Sequence, residues 1–405
     1  MLDAYLYDGL RSPIGRHAGK LSPVRPDDLA AEVIREVVGR NQVDPAQISD
    51  VILGCVNQAG EDNRNVARFA ALLAGLPPTT PGVTVNRLCA SGLQAVVDAS
   101  RAVTCGEGDL YVAGGVESMT RAPYVMSKPD SAFGRDAKMY DTTIGVRFPN
   151  SRAIKQYGNH SMPETGDNVA KDFGITREQA DEFALASQQK YATAEKEGFY
   201  KGEILPVTLP AKRKDAPPEV FQADEHPRRD STIESLQKLK PLFEGGVVTA
   251  GNASGVNDGA AALLIGSKKW GEKNGKKPIA RIVSAASAGV EPRIMGVGPA
   301  YAIPLALERA KLQLKDMDII EINEAFASQV LGCLKLMNVD FKDPRVNPNG
   351  GAIAIGHPLG ASGARLALTV ARELQQSGGK YAAVSLCIGV GQGLRLAHRT
   401  GRQGQ

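Results

Sequence analysis

Apolar positions repeat along the chain in the same order twice. Residues 28–53 begin with the amphipathic helix pattern LAAEVIREVVGR, in which Leu29, Val33 and Val37 share one face, and end with the short apolar strand pattern VIL. Residues 304–322 follow the same order, with the helix pattern LALERAKLQ, a short loop containing an Asp, and the strand pattern DIIEIN. This first pair of matches indicates two related α/β segments.

A second pair of matches is closer. The sequence ASGLQAVVDASRAV begins at Ala90 and ASGARLALTVAREL begins at Ala361, and each predicts a helix. In both segments a glycine turn, a tyrosine (Tyr111 or Tyr381) and a strand of small residues ending in glycines follow. Because both pairs of matches occur in the same order, the sequence predicts two homologous α/β halves, each an open sheet covered by helices.

The chain between the halves has a different composition. Residues 119–247 hold dispersed Lys, Arg, Pro and Gly, as in AKRKDAPPEV and DEHPRRDST, with one predicted helix near residues 176–195. Composition alone leaves two interpretations open. The segment is either a solvated insertion or a loop domain that grips a ligand, since long insertions in α/β enzymes often have that role.

Composition excludes several classes of function. The net charge of the 405 residues is only +4, with both signs dispersed, which is far from the balance of a nucleic-acid-binding protein. No apolar run reaches the roughly 18 residues that a membrane span needs. The five cysteines are widely separated, without a C-x-x-C pair, which is typical of a reducing compartment and not of a disulfide framework or zinc site. The first residues predict a strand and contain no secretory pattern, so we expect a cytoplasmic protein.

Three segments rich in small residues each carry one reactive side chain. VTVNRLCASGLQ places Cys89 just before a predicted helix, where the helix dipole and free N–H groups lower a thiol pKa. NPNGGAIAIGHPLGASGAR surrounds His357 with glycines, and SLCIGVGQG places Cys387 at the end of a predicted strand. Taken singly, Cys89 is equally compatible with a buried structural role, and an ordinary loop residue is the simpler interpretation of His357. Brought together by the repeat, they would supply a nucleophile, a base and a second acid/base at one cleft.

A fourth candidate is Asn323, which follows a predicted apolar strand together with Glu324 in the sequence EINEAF. A carboxamide at a strand end can hold a water or a substrate oxygen. Taken alone, a helix N-cap is the simpler interpretation of this asparagine.

Six motifs, in this order, resemble those of the thiolases: NRLCASG, AGGVESMTRAPYVM, TAGNASGVNDGAAA, NEAF, GGAIAIGHPLGASGAR and CIGVGQG. The resemblance covers essentially the whole chain and implies the thiolase fold, an α/β fold in which two halves form helix-sheet-helix-sheet-helix layers. It implies an N-terminal half of residues 1–118 and 248–274, a loop domain for CoA binding over residues 119–247, and a C-terminal half of residues 275–405.

The resemblance also implies a role for each reactive residue. Cys89 is then the acyl acceptor, His357 takes its proton, and Cys387 protonates the leaving enolate and deprotonates CoA. His357 and a water held by Asn323 would stabilise the enolate oxygen, while the backbone N–H groups of Cys89 and Gly389 would form a second oxyanion hole.

The CoA-binding residues that the resemblance implies are Ser254, Ala253, Met162 and Phe243. Ser254 would bond to the pantetheine arm, and Met162 and Phe243 would line its tunnel. CoA is a substrate in this scheme, and no metal or separate cofactor is expected. The family resemblance further implies a homotetramer, a dimer of dimers.

Within the family, residues 58–68, 131–148 and 161–170 are similar to those of bacterial 3-oxoadipyl-CoA thiolases of aromatic compound degradation. Such a substrate ends in a carboxylate, which needs donors or a cation nearby. The basic candidates in these segments or near them are Arg64, Arg121, Arg135 and Arg147.

Three alternatives remain open on the sequence. A broad-chain thiolase of fatty-acid oxidation or an acetoacetyl-CoA thiolase would share the catalytic residues and differ in the acyl pocket. A non-catalytic thiolase-like acyl-CoA carrier would lack at least one of Cys89, His357 and Cys387, and all three are present.

Overall fold

The computed structural model describes residues 1–211, 213 and 217–400. Part of AKRKDAPPEV and residues 401–405 of the predicted C-terminal half therefore lie outside the described residues.

The first part of the chain contains β1 Ala4–Arg11, β2 Gly15–Arg16, α1 Pro26–Arg40, β3 Asp50–Gly54, α2 Val66–Leu73, β4 Gly82–Val85, α3 Ser91–Cys105 and β5 Leu110–Ser118. The segment between the halves contains β6 Tyr124–Met126, β7 Met139–Asp141, α4 Ser151–Tyr157, α5 Met162–Phe173, α6 Arg177–Lys196, β8 Val207–Thr208, β9 Val220–Phe221 and α7 Ile233–Gln237. The remaining chain contains β10 Asn257–Gly266, α8 Lys268–Lys273, β11 Ala280–Gly289, α9 Gly298–Ala310, β12 Ile319–Ile322, α10 Ala327–Leu336, α11 Ala352–Ile355, α12 Leu359–Ser377, β13 Tyr381–Ile388 and β14 Gln392–Thr400.

The main sheet runs in the order β4-β3-β5-β10-β1-β11-β14-β13-β12, and β2 pairs with β10 at its side. In the first half, β3 lies parallel to β4 and β5, while β10 is antiparallel to β5 and β1. In the second half, β12 is parallel to β13, and β14 is antiparallel to β13 and β11. The halves meet where β1 and β11 pair over three residues, from Ala4 opposite Ile282 to Leu6 opposite Ala280. The two predicted open sheets are therefore linked at their edges.

Helices form three layers around the two halves of this sheet. In the centre, α3 and α12 pack on each other and contact strands of both halves, so that Leu93 and Leu368 share a core with Ala113 and Val384. On the outer faces, α1 and α2 cover the first half, and α9 and α10 cover the second. The layers run helix-sheet-helix-sheet-helix, as the sequence predicts.

The repeated patterns form the predicted elements. α1 begins with Pro26, whose missing N–H has no cost at the first helical position, and Leu29, Val33 and Val37 are all buried against the first-half sheet. Its counterpart in the second half is α9, followed by β12. The two Ala-Ser-Gly segments form α3 and α12, followed by β5 and β13.

The Ala-Ser-Gly motifs allow the two central helices to approach closely. A Cβ atom at Gly92 in α3 would lie 2.5 Å from a backbone carbonyl oxygen of α12. A Cβ atom at Gly363 in α12 would in turn collide with the backbone nitrogen of Leu93. Any side chain at these two positions would clash, so only glycine allows the N-termini of the two helices to lie beside each other. Cys89 precedes one of them and His357 precedes the other.

The segment between the halves contains more helix than predicted. The predicted helix near residues 176–195 is α6, which begins at Arg177 after the N-cap Thr176, but α4, α5 and α7 are not predicted. α4 and α7 have only 7 and 5 residues. α5 contains Pro163 and Gly166 in its first half, and these two residues are typical of a turn. The predicted helix is therefore confirmed, and the segment contains three further helices that the sequence pattern did not indicate.

Candidate active site

A tight turn between β4 and α3 presents Cys89. Leu88 adopts a φ of 47°, in the left-handed region that a leucine enters only at a cost of about 1–3 kcal/mol. Ser91 holds this turn, because its Oγ accepts a hydrogen bond from the backbone N–H of Arg87 (2.8 Å) and donates one to the carbonyl oxygen of Leu88 (2.6 Å). These hydrogen bonds hold a strained backbone immediately before Cys89, and such strand-to-helix turns are known to present nucleophiles in other enzymes.

Burial controls the protonation state of Cys89. Loss of solvation raises the pKa of its thiol to about 11, although the backbone N–H groups of Gly389 and of Cys89 itself act in the opposite direction. The prediction that the helix N-terminus leaves this thiol with a lowered pKa is therefore wrong, because desolvation outweighs the N–H groups. The resting side chain is a neutral thiol, so a base has to take its proton when it attacks.

His357 is buried and oriented by its neighbours. Its Nδ1 lies 2.6 Å from Oγ of Ser362, and that hydroxyl donates to the carbonyl oxygen of Pro358 (2.9 Å). Since the hydroxyl proton is used there, Ser362 accepts a hydrogen bond from Nδ1–H, which leaves the lone pair on Nε2. The backbone N–H of His357 donates to Oδ1 of Asn257 (2.9 Å). Burial and, to a lesser extent, Arg365 lower the pKa of His357 to about 3, so the imidazole is neutral and able to accept a proton.

Asn323 reaches the same imidazole from the end of β12. Its Nδ2 lies 3.4 Å from Nε2 of His357, and its backbone N–H donates to the carbonyl oxygen of Ser385 (2.9 Å). Its Oδ1 is buried and has no hydrogen-bond partner among the described residues. The interpretation of Asn323 as a helix N-cap is wrong, because Phe326 occupies that position of α10. A buried carboxamide with a free oxygen is suited to hold a water or a substrate oxygen beside the imidazole.

The neighbouring Glu324 belongs to a buried polar network. Its carboxylate accepts hydrogen bonds from Oγ of Ser187 (2.6 Å), Nδ2 of Asn347 (2.8 Å) and the backbone N–H of Ile353 (3.1 Å). Burial raises the pKa of Glu324 despite these bonds. The network fastens α6 of the inserted segment to the second half, next to Asn323.

Cys387 lies near the end of β13, opposite Gly393 of β14. Burial raises the pKa of its thiol well above the usual value, and the thiols of Cys89 and Cys333 act in the same direction. Cys387 belongs to an apolar cluster that Met162 packs against, and Met162 lines the same cavity as Cys89. Two residues further along, the backbone N–H of Gly389 hydrogen-bonds to the sulfur of Cys89. The repeat therefore brings Cys89 to the glycine-rich turn of the second half, as predicted.

Cys89 opens into a cavity of about 160 Å³. Its mainly apolar wall comes from the nucleophile turn, the loop after β7 and the turn after β13. Its lining includes Leu88, Cys89, Glu117, Arg147, Met162 and Gly389. A Cβ atom at Gly389 would lie 3.9 Å from the sulfur of Met162, so this predicted CoA-binding residue borders the reaction site.

The other predicted CoA-binding residues do not all lie together. Ala253 packs in a small apolar cluster with Met162 and Cys387. Ser254 lies beside that cluster, and its backbone N–H donates a hydrogen bond to the carbonyl oxygen of Ala325 in the NEAF motif (2.9 Å). Phe243 is 42% exposed on a surface turn, outside this cluster.

Glu117, at the end of β5, is a buried site residue that the sequence analysis does not identify. Its carboxylate accepts hydrogen bonds from the backbone N–H groups of Val56 (3.0 Å), Asn57 (3.0 Å) and Gly360 (2.8 Å). Burial raises the pKa of Glu117 to about 7 although these bonds oppose the shift. The signal in the sequence is an acid at the end of a strand of small apolar residues, AGGVES, where a buried Glu is rare without partners. Glu117 ties the loop after β3 to the N-terminus of α12, beside Cys89.

Comparison with known proteins agrees with this geometry. Residues 4–269 match the family model "Thiolase, N-terminal domain" and residues 276–399 match "Thiolase, C-terminal domain". The chain therefore belongs to the thiolase family, whose members are acyltransferases, and it has the thiolase fold. It is 56% identical over 398 residues to the 3-oxoadipyl-CoA/3-oxo-5,6-dehydrosuberyl-CoA thiolase of Escherichia coli (strain K12), with 98% of this chain and 99% of that protein covered. It is 55% identical to a beta-ketoadipyl-CoA thiolase of Pseudomonas aeruginosa, with 98% of each chain covered.

Solved structures resemble the chain over its whole length. The Bacillus anthracis acetyl-CoA acetyltransferase superposes with a TM-score of 0.91 at 40% identity and covers 99% of both chains. The human mitochondrial 3-ketoacyl-CoA thiolase in complex with CoA superposes with a TM-score of 0.90 at 37% identity and covers 98% of both chains.

Proposed function

We propose that this thiolase cleaves 3-oxoadipyl-CoA with CoA, through an acyl-enzyme on Cys89, to give succinyl-CoA and acetyl-CoA in aromatic compound degradation. The choice of substrate rests on the sequence identity of 53–56%, over nearly the whole chain, to relatives named for this activity. Three observations support the mechanism: Cys89 lines a cavity, His357 is a buried neutral imidazole, and Cys387 is a buried thiol in a cluster that Met162 of that cavity packs against.

In the first half-reaction, the sulfur of Cys89 attacks C3 of the substrate while its proton passes to Nε2 of His357. The backbone N–H groups of Cys89 and Gly389 stabilise the developing oxyanion, which is worth about 10²–10³ in turnover for one donor. The C2–C3 bond then breaks, and the bonding electrons leave with acetyl-CoA as an enolate. His357 and a water held by Asn323 bind the enolate oxygen.

Cys387 completes the first half-reaction and begins the second. Its thiol gives a proton to C2 of the enolate, which releases acetyl-CoA. The resulting thiolate is a strong base, because burial raises the pKa of this thiol well above the usual value, and it removes the thiol proton of the incoming CoA. The CoA sulfur attacks the succinyl thioester, and Cys89 leaves as a thiolate that regains its proton from His357.

CoA is a substrate in this proposal, and no separate cofactor or metal takes part. Met162 and Ala253 would pack against the pantetheine arm close to the thiols, and Ser254 would hydrogen-bond to it. Phe243, on its exposed turn, would contact the arm nearer to the surface, which fits an extended ligand that enters from solvent.

The alternatives differ in the acyl group. A broad-chain thiolase and an acetoacetyl-CoA thiolase would use the same catalytic residues, but a relative named acetyl-CoA acetyltransferase, from Allochromatium vinosum, is only 45% identical. The relatives named for 3-oxoadipyl-CoA are 53–56% identical, so they favour the dicarboxylic substrate. A non-catalytic carrier is the weakest alternative, because all three reactive side chains are present.

A cytoplasmic homotetramer completes the proposal. Over residues 1–211, 213 and 217–400, no helix is long and apolar enough to cross a membrane, and the five cysteines are free thiols. Two separate surfaces expose large apolar side chains, as a dimer of dimers requires. The α2–β4 surface exposes Phe69, Leu72, Leu73 and Val83. The β6–β7 surface exposes Tyr124, Met126, Phe133 and Met139.

The proposal is tested by thiolysis assays with 3-oxoadipyl-CoA, acetoacetyl-CoA and a long 3-oxoacyl-CoA, on the wild type and Cys89→Ala. We expect the highest kcat/KM for the dicarboxylic substrate and no turnover by the variant. A preference for an uncharged acyl chain would contradict the proposed substrate but not the proposed mechanism. Full activity of Cys89→Ala would remove the mechanism itself.

A further inference from the structure

The proposed substrate carries a carboxylate at the far end of its acyl chain. Burying this group without a partner is costly, so the acyl cavity should present a cation or several donors to it. We propose that Arg147 is the residue that binds this carboxylate and thereby selects dicarboxylic acyl chains. The inference rests on the proposed function and adds to it the residue that sets the specificity.

Three of the four candidate arginines are unsuited to this role. Arg121 is already engaged, because its Nε and NH2 atoms bond both carboxylate oxygens of Glu61 (2.5 and 2.6 Å) and its NH1 donates to the carbonyl oxygen of Ser22 (2.9 Å). Arg64 and Arg135 are exposed and do not line the cavity at Cys89.

Arg147 differs from them in position and in pairing. It is half-buried and lines the same cavity as Cys89. Its guanidinium makes only long hydrogen bonds, to the carbonyl oxygens of Gly145 (3.3 Å) and Thr142 (3.4 Å). Within the described part of the chain, no carboxylate lies at ion-pair distance from it. Because the N–H groups of this guanidinium make only long hydrogen bonds, they can exchange them for a bidentate interaction with an incoming carboxylate.

The rest of the cavity fits a short chain with one charged end. Apolar groups of Leu88, Met162 and the loop before Arg147 provide contacts for methylene groups. The other charged group on the wall is Glu117, whose carboxylate already accepts three backbone hydrogen bonds. Glu117 disfavours a second carboxylate near its own end of the cavity, so a dicarboxylic chain bound to Cys89 is directed toward Arg147.

The test compares two substrates of equal length in each enzyme variant. 3-Oxoadipyl-CoA and 3-oxohexanoyl-CoA differ only in the terminal carboxylate or methyl group, and the measured quantity is the ratio of their kcat/KM values. We expect Arg147→Met to lower this ratio about 10²-fold, because a charge-paired group loses its partner, and Arg147→Lys to restore part of it. Arg135→Met, a loss of charge in the same inserted segment but outside the cavity, should keep the wild-type ratio.

Each outcome separates the inference from the proposed function. Because both substrates are measured on the same preparation, incomplete folding of a variant cancels in the ratio. A wild type that prefers 3-oxoadipyl-CoA combined with an unchanged ratio in Arg147→Met would overturn the role of Arg147 and leave the proposed substrate intact. A wild type that prefers 3-oxohexanoyl-CoA would overturn both.

Discussion

Cys89 and His357 are both held in their neutral forms, and the same cause, burial, acts on both. Burial disfavours the thiolate, which raises the pKa of Cys89 to about 11, and it disfavours the imidazolium, which lowers the pKa of His357 to about 3. A preformed thiolate–imidazolium pair is therefore not the resting state. In the proposed mechanism, the proton would move to Nε2 only when the sulfur attacks, so His357 would act as a base within the reaction step.

The pH dependence of alkylation tests this neutral pair. Only the thiolate reacts with iodoacetamide, and below the thiol pKa its fraction rises tenfold for each pH unit. With the pKa of Cys89 at about 11, we expect the second-order rate constant for alkylation of Cys89 to rise about tenfold per unit from pH 7 to pH 9, without a plateau. Peptide mass spectrometry at each pH measures this rate for Cys89 separately from the exposed Cys105.

The control is Cys89→Ala, which defines the background labelling of the other thiols. A rate constant that is already constant between pH 6 and pH 8 would mean that Cys89 is a thiolate at neutral pH. In that case the neutral pair would be wrong, and His357 would be an imidazolium in the free enzyme.

The sequence singles out three reactive residues as candidates, but it does not predict their ionisation. Cys89, His357 and Cys387 stand out because small residues surround each of them, and the repeat predicts that they share a site. The direction of the Cys89 pKa shift depends on desolvation, which comes from residues distant in sequence. Glu117 was missed for the same reason, since its three N–H partners belong to a loop and a helix that only the fold brings to it.

At the scale of elements, the crossing of α3 and α12 positions the site. The two Ala-Ser-Gly motifs are related by the repeat, and each contributes the glycine that the other helix packs against. Since Cys89 and His357 precede the two helices, the contact that joins the halves also positions the two residues relative to each other.

Gly363→Ala should therefore destabilise the protein. The added methyl group meets the backbone nitrogen of Leu93, which cannot move without shifting α3, and overpacking of this kind costs about 1–3 kcal/mol. The free energy of unfolding, measured by urea denaturation, should fall by that amount. Thiolysis activity of the folded variant should fall too, because a shift of α3 moves Cys89.

Gly39→Ala is the matched control. Gly39 is also helical, in α1, but a Cβ atom there has no neighbour within 4 Å. This variant should be neutral or more stable by up to about 1 kcal/mol, since alanine favours the helix. If both variants behaved alike, close packing of α3 on α12 would not be the reason for the glycine at position 363.

Element prediction was reliable where apolar residues recur with a clear period and unreliable in the inserted segment. Both repeated helix–strand pairs were predicted because their apolar faces are continuous. α5 was missed, although Ser161 and Glu164 form a capping box at its start, a signal that Pro163 and Gly166 obscured. The exposed α4 and α7 bury few residues, so their sequences contain little pattern to detect.

At the scale of the whole molecule, buried charges fasten the inserted segment to the first half. Arg11, at the end of β1, is fully buried and bonds Glu203 (2.6 Å) and Asp224 (2.7 and 2.9 Å), both in the inserted segment. Asp224 also accepts hydrogen bonds from the backbone N–H of Ile14 and the hydroxyl of Tyr191. Arg11 holds the pKa of Asp224 below its usual value although burial acts in the opposite direction. Arg11 is therefore the shared cation of two carboxylates of the insertion, and Glu203 also lies 3.6 Å from Nε of Arg372.

Arg11→Met should cost about 3–5 kcal/mol of unfolding free energy, because it leaves the buried Asp224 without its cation and Glu203 with only the more distant Arg372. Arg16→Met is the matched control, since Arg16 pairs with the adjacent Glu225 (3.4 Å) but has 63% of its side chain exposed. An exposed pair of this kind contributes little, so the control should stay within about 0.5 kcal/mol of wild type.

Urea denaturation of both variants at one protein concentration measures the difference, and limited proteolysis reports whether the inserted segment is released first. Equal stability of the two variants would show that the buried network does not hold the insertion, and docking would then rest on apolar contacts such as those of Val207 and Phe221 with the first-half core.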